Sequence, residues 1–164
     1  MIISSHFLAG AAAGKVTGNP ILAVILGFVF HFVMDLVPHW NYGYKALKKT
    51  KTLLLVLLDP FLAFTIFMVI GLVRGYDFST WLSVFLGGFA CVLPDLIEFI
   101  IRIFNINSLI PFLYFHRAMH WFDKHPKNIW ETAEDMNQYT KKRILLGIIY
   151  QIPFIIVSLW FLIR

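Results

Sequence analysis

Between Gly27 and Trp40 the chain places His31, Asp35 and His39 at intervals of four residues in an otherwise apolar run. On a helix of about 3.6 residues per turn, these side chains stack along one face. A charged group at the centre of a membrane helix costs roughly 2.5–3.5 kcal/mol on insertion scales. Three ionisable groups on one such stripe predict something for them to hold, and imidazole with carboxylate is donor chemistry for a divalent metal. The alternative is a set of interhelical hydrogen bonds, each worth about 0.6–2 kcal/mol.

Two further constellations carry the same chemistry. Leu93-Pro94-Asp95-Leu96-Ile97-Glu98 puts two carboxylates on one helical face, and Arg102 continues it. Asp95 follows a proline break and reads as a ligand. Glu98 reads either as a proton carrier or as half of an internal ion pair with Arg102. His116-Arg117-Ala118-Met119-His120 has two histidines at helical chelate spacing. Arg117 stands where a zinc-protease motif would have glutamate, which argues against that class; a guanidinium there suits a phosphate. The alternative for this pair is an interfacial position beside Trp121 in an aromatic belt. His6 and Asp59 complete the set. Asp59-Pro60 also reads as a helix-start signal, and His125 reads as an ordinary surface residue.

Gly27 to Asp35 and Gly87 to Asp95 match at an offset of 60 residues, each with Asp eight positions after Gly and Leu next. Two related helices facing each other would bring Asp35 and Asp95 together. Seven metal candidates (His6, His31, Asp35, His39, Asp95, His116 and His120) exceed one four-coordinate site. The expectation is therefore one or two ions of Zn, Mn or Fe, a pair of which would suit phosphate ester hydrolysis.

The elements that must position these groups follow from composition. The 164 residues are 59% hydrophobic and 14% charged, with mean hydropathy +0.76, against about 25% charged in soluble domains. This predicts a single membrane domain over 1–164, an all-α polytopic bundle, since lipid offers backbone groups no partners. Apolar segments at 2–16, 20–39, 53–73, 80–104 and 143–163 predict five transmembrane helices, against a hydrocarbon core of roughly 30 Å. The fourth is expected to be interrupted at Leu93-Pro94-Asp95, and 108–122 to form an amphipathic interfacial helix. Ala11 to Ala13 after an apolar patch would fit a signal peptide, but there is no basic start and His6 interrupts the run, so 2–16 reads as a first membrane helix. Thr17-Gly18-Asn19-Pro20 reads as a turn. The lone cysteine, Cys91, excludes an intramolecular disulfide.

The net charge of +5 does not imply nucleic acid as a partner, because the basic residues gather in loops beside apolar segments. Lys45, Lys48, Lys49 and Lys51 lie in one such loop; Arg117, Lys124, Lys127, Lys141 and Lys142 lie in or beside the other. The positive-inside rule then puts the N-terminus and both loops in the cytoplasm, in an inner (plasma) membrane. That orientation uses only Lys and Arg. It places His6, His31, Asp35, His39, Asp59, Asp95, Glu98, His116 and His120 toward one leaflet.

At these residues the chain resembles the YdjM-type family of inner-membrane, metal-dependent hydrolases. The matching residues are His6, Leu93-Pro94-Asp95, His116-Arg117 with His120, and His31 with Asp35. The order differs, since His31-x-x-x-Asp35 precedes Leu-Pro-Asp here, and the second His follows at four positions rather than five. The resemblance implies a membrane hydrolase with a divalent metal.

The function expected is hydrolysis of a phosphate ester of a lipid or lipid-linked substrate. Arg117 would hold phosphate, and Glu98 or Asp59 would move protons. The first alternative is a small metal-ion or proton transporter using the same His and Asp residues; the second is a haem-binding or scaffold protein with opposed histidines. Membrane lipid is the expected partner, with no implication for oligomeric state.

Overall fold

A computed structural model describes residues 3–37, 39, 50–120 and 141–164. Every regular element among them is helical: α1 (Ile3–Thr17), α2 (Pro20–Asp35), α3 (Thr50–Arg74), α4 (Phe78–Phe104), a 3-10 turn (Asn107–Leu109), α5 (Ile110–Met119) and α6 (Lys141–Ile163). Three stretches, Leu57–Arg74, Phe78–Phe104 and Leu145–Ile163, are long and apolar enough to cross a bilayer. That marks a membrane protein with an all-α bundle fold. Lys45, Lys48, Lys49, Lys124, Lys127 and His125 lie outside the described residues, as does Pro38.

Local sequence explains the connections. Gly18 adopts φ +57°, and Asn19 caps α2 by accepting from the Ile21 and Leu22 backbone N–H groups at 2.9 and 3.2 Å, with Pro20 in the first turn. Gly75 turns at φ +62°, and Asp77 caps α4 through the Thr80 N–H at 2.8 Å. The Thr80 side chain, and after it that backbone hydrogen bond, hold the exposed Asp77 carboxyl below its usual range. Asn105 ends α4 in the left-handed conformation.

Two boundaries differ from the sequence expectation. α1 and α2 have 15 and 16 residues, about 22–24 Å at 1.5 Å per residue, short of a full apolar span. α4 continues through Pro94, and α3 through Pro60, without interruption. Asp59 therefore does not start a helix within α3; its Oδ2 accepts the Ser4 N–H at 3.1 Å and so satisfies a free donor at the start of α1.

Small residues let the backbones of α1, α2 and α4 touch. A Cβ on Gly10 would collide with the Gly87 carbonyl, one on Gly14 with the Ser83 carbonyl, and one on Gly27 again with Gly87. Such close approach is the usual route to tight helix association in membranes. The pairs Gly10–Gly87 and Gly14–Ser83 run in opposite directions, so α1 is antiparallel to α4. Gly27–Gly87 and His31–Cys91 keep a constant offset of 60, so α2 is parallel to α4. α6 runs alongside α1: Ser5, near the start of α1, meets Gln151 midway along α6, while Tyr76 and Arg74 donate to the Leu162 and Arg164 carbonyls at the far end.

The interior divides in two. At the far end Leu8, Ala11, Ala12, Phe67, Val84 and Leu162 form an apolar core joined by Phe7 and Trp81. At the other end polar groups are buried beside apolar ones: Ser5, His6, His31, Asp35, Arg102, His116, Arg117 and Gln151 lie among Met34, Cys91, Ile101 and Leu113. The exterior is greasy, with Ile21, Phe61, Leu72 and Val157 more than half exposed. Apolar outside and polar within is the pattern of a bundle solvated by lipid.

Candidate metal centre

Four helices and two residues just beyond helix ends deliver side chains to the polar end. α1 supplies His6, α2 supplies His31 and Asp35, α4 supplies Asp95 and α5 supplies His116, while His120 caps the end of α5 in an extended conformation and does not continue its helical face. His39 arrives differently from the helical stacking expected of it: α2 ends at Asp35, and His39 sits beyond that end, with Nε2 3.5 Å from Asp35 Oδ1.

Asp35 is the hub. Its Oδ2 lies 3.0 Å from His31 Nε2, 3.1 Å from His116 Nε2 and 3.4 Å from His120 Nε2. Its Oδ1 lies 3.4 Å from His6 Nε2 and 3.5 Å from His39 Nε2. Asp95 divides in a similar way. Its Oδ1 faces His116 and His31 at 3.6 and 4.0 Å, and its Oδ2 faces His6 at 3.9 Å. His6, His31, Asp35 and His116 are fully buried, whereas the Asp95 side chain is 25% exposed and marks the open side.

The outer nitrogens decide the protonation pattern. His31 Nδ1 lies 2.7 Å from the Cys91 carbonyl oxygen, and His39 Nδ1 lies 2.7 Å from that of Val37. His116 Nδ1 lies 2.7 Å from Glu98 Oε2. Carbonyl and carboxylate oxygens only accept, so each Nδ1 carries the proton and, in a neutral ring, each Nε2 presents a lone pair inward. His120 Nδ1 lies 3.1 Å from His39 Nε2, so these two rings face each other through those nitrogens. The inward nitrogens crowd: His31 Nε2 and His116 Nε2 are 2.8 Å apart, and His116 Nε2 and His120 Nε2 are 3.3 Å apart.

Neutral imidazoles and carboxylates aimed at one point repel unless a cation stands among them. His6 Nε2 and Asp35 Oδ1, both fully buried, face each other at 3.4 Å, a long contact for two polar atoms that a shared ion would satisfy. Two ligand atoms about 2.0–2.1 Å from one zinc ion lie about 3.3 Å apart at the tetrahedral angle, close to the spacings observed. The four overlapping triads His6/His31/Asp95, His31/Asp35/His116, Asp35/His39/His120 and Asp95/His116/His120 could each hold a metal ion.

Anchoring the outer nitrogen on a carbonyl or carboxylate is the usual support for a metal-binding histidine. The Cys91 carbonyl, on the turn before Pro94, accepts from His31; the carbonyl that Pro94 itself leaves without a helical donor is that of Ala90. Glu98 stands behind His116 and not among the converging atoms. Arg102 grips its other oxygen, with Nε at 2.7 Å and Nη2 at 2.6 Å, so the ion-pair alternative is the one present. Burial pulls His116 and His120 down and takes His120 to about 4; on His116 the Asp35 and Glu98 carboxylates outweigh burial and hold it up at about 10. Without an ion, then, His116 Nε2 carries a proton and donates to Asp35 Oδ2 at 3.1 Å, and a bound ion would take that proton's place. Arg117 is buried on the turn of α5 that carries His116.

Sequence reasoning overlooked the anchoring carbonyls of Cys91 and Val37, which no side-chain pattern reports. It also passed over the Gly10-x-x-x-Gly14 spacing, which was visible and explains how α1 comes close enough to contribute His6. No family model, curated protein or solved structure matches the chain.

Proposed function

We propose that this protein is a membrane-embedded, metal-dependent hydrolase acting on a phosphate ester of a lipid or lipid-linked substrate. The observation that carries the reading is the set of imidazole Nε2 atoms converging on Asp35, with the rings of His31, His39 and His116 each held by a carbonyl or carboxylate behind them. A divalent ion bound there (Zn, Mn or Fe) supplies Lewis acidity and a lowered pKa for water. The division of both aspartates favours two adjacent ions, with Asp35 Oδ2, His31, His116 and His120 on one side and Asp35 Oδ1, His6 and His39 on the other. Asp95, on the open side, faces the incoming substrate. Arg117 neutralises phosphate charge, while Glu98 and Arg102 hold His116 in its orientation. Asp59 secures the start of α1, two residues before His6, and acts through that position.

Location supports a substrate that arrives within the bilayer, with the centre toward the cytoplasmic leaflet of the inner membrane. The short motifs shared with YdjM-type hydrolases favour the same class. A conduction path would continue ionisable groups toward the far end, whereas the described residues buried there are Leu8, Ala11, Phe67, Val84 and Leu162 with the hydroxyls of Ser83 and Ser158; this favours hydrolysis over transport.

The test is elemental analysis of the purified protein beside His31→Ala and Asp95→Ala, followed by phosphate release from phosphatidic acid. Bound transition metal in the wild type, lost in both variants along with phosphate release, is the expected result. Full metal retention in both variants would overturn the reading. Metal flux into proteoliposomes without phosphate release would move it to transport.

A further inference from the structure

A cleft of ≈ 520 Å³ opens on the side of the bundle between α2 and α6, with α1 as its floor. It is lined by Ala9, Ala13 and Val16 of α1, Leu26 and Phe30 of α2, and Val157 of α6, among others. Thr17 and Ser158 are the only polar residues in the lining, and the Thr17 hydroxyl is engaged with the Gly14 carbonyl at 3.0 Å. Volumes of about 300–1,000 Å³ are typical of ligand pockets. This one lies among apolar helices, so its natural content is hydrocarbon.

The position of the cleft separates it from an incidental gap between helices. Its inner end is Ala9, Phe30 and Phe154. Phe30 is adjacent to His31, and Ala9 is three residues, about 4.5 Å of helix rise, from His6. Ala9 and Phe154 pack on Met34 and Cys91, and the Cys91 sulfur lies 3.9 Å from His6 Nδ1. One turn closer to the polar end, Ser5 and Gln151 hydrogen-bond at 3.3 Å across α1 and α6. From Ala9 to Thr17 the floor extends about 12 Å. The cleft is therefore an apolar trough with one end against the His/Asp centre and the other toward the far face.

We propose that this cleft holds a hydrocarbon chain of the lipid substrate, so that the phosphate head is presented to the centre around Asp35. The assignment rests on the hydrolase reading for the head and on the cleft itself for the tail. Small side chains at Ala9, Ala12 and Ala13 make the trough, and a large side chain there removes it.

The experiment compares wild type with Ala13→Phe and Val157→Trp, which fill the cleft from its floor and from its α6 wall, and with Leu72→Phe on the exposed face of α3. Metal content and melting temperature establish that each variant is folded. Two readouts are taken in phosphatidylethanolamine/phosphatidylglycerol vesicles. The first is phosphate release from long-chain phosphatidic acid against release from tail-less 4-nitrophenyl phosphate. The second is photolabelling by phosphatidic acid with a diazirine in its acyl chain, mapped by peptide.

We expect cleft-filling to lower kcat/KM for the long-chain lipid by about tenfold or more, with the tail-less ester unchanged. Labelling should concentrate on α1 and α6 in the wild type and in Leu72→Phe, and disappear in both cleft variants. Labelling spread evenly over the exposed faces, or unchanged by both substitutions, would overturn the proposal. If neither ester is hydrolysed by wild type, the hydrolase reading fails by itself, and the labelling pattern still decides the occupant of the cleft.

Discussion

At the scale of single residues, Asp35 and Asp95 are both carboxylates near the same histidines, but they are not equivalent. Asp35 is buried and lies within 3.5 Å of five imidazole nitrogens through its two oxygens; Asp95 is a quarter exposed and its contacts are 3.6–4.0 Å long. Asp35→Asn should abolish metal binding, because an amide has one acceptor oxygen and no charge with which to bridge two sets of donors. Asp95→Asn should retain part of the metal. Metal per chain, measured by mass spectrometry on monodisperse protein, separates the two; equal loss would contradict the hub role of Asp35. Glu98→Gln tests the support behind His116. Loss of such a supporting carboxylate weakens metal affinity by about 10–100-fold without abolishing it, and competition against a graded series of chelators measures the difference. An unchanged affinity would mean that Glu98 serves only Arg102.

At the scale of elements, the centre exists because α1, α2 and α4 approach to backbone contact. Gly10 bears no donor atom, yet a side chain there meets the Gly87 carbonyl and the Cys91 Cβ. Gly10→Leu should destabilise the bundle by about 1–3 kcal/mol or more and lower metal content, since α1 can no longer seat His6. Gly75→Ala is the control: its φ of +62° makes alanine strained, but no atom lies within 4 Å of the added Cβ. It should lower the melting temperature and leave metal content unchanged. The same contrast shows what was legible beforehand. His6, His31, Asp35, Asp95, His116 and His120 stand out in the sequence because ionisable groups are rare in apolar runs, and the 60-residue offset already aligned Gly27 with Gly87. The interruption expected at Pro94 is absent, because a proline in a long, packed helix can be accommodated without breaking it. His39 was placed on a helical stripe because periodicity says nothing of where a helix stops. Glu98 could not be assigned between proton carrier and support until the positions of His116 and Arg102 were both known.

At the scale of the whole molecule, folding and metal binding are linked. The far half of the bundle has an apolar core, while the other half gathers carboxylates and imidazoles that oppose one another until positive charge neutralises them. A ligand that binds only the folded protein stabilises it by about 2.7 kcal/mol at a hundred times its dissociation constant and about 4.1 kcal/mol at a thousand times. Chelation should therefore lower the melting temperature in detergent, and re-addition of the bound metal should restore it. The sign of the pH dependence follows from the ligands: imidazoles and carboxylates must lose protons to coordinate, so acid competes with the metal. Lowering pH from neutral toward 5 should release metal and remove most of the stability difference between the loaded and chelated forms. Hydrogen exchange locates the effect. Protection should fall first in α5 and the first turns of α1, which both contribute histidines to this centre, while Phe67, Val84 and the surrounding core of α3 and α4 remain protected. A uniform loss of protection along all helices would mean that the His/Asp cluster is a general packing element and not a discrete ion site.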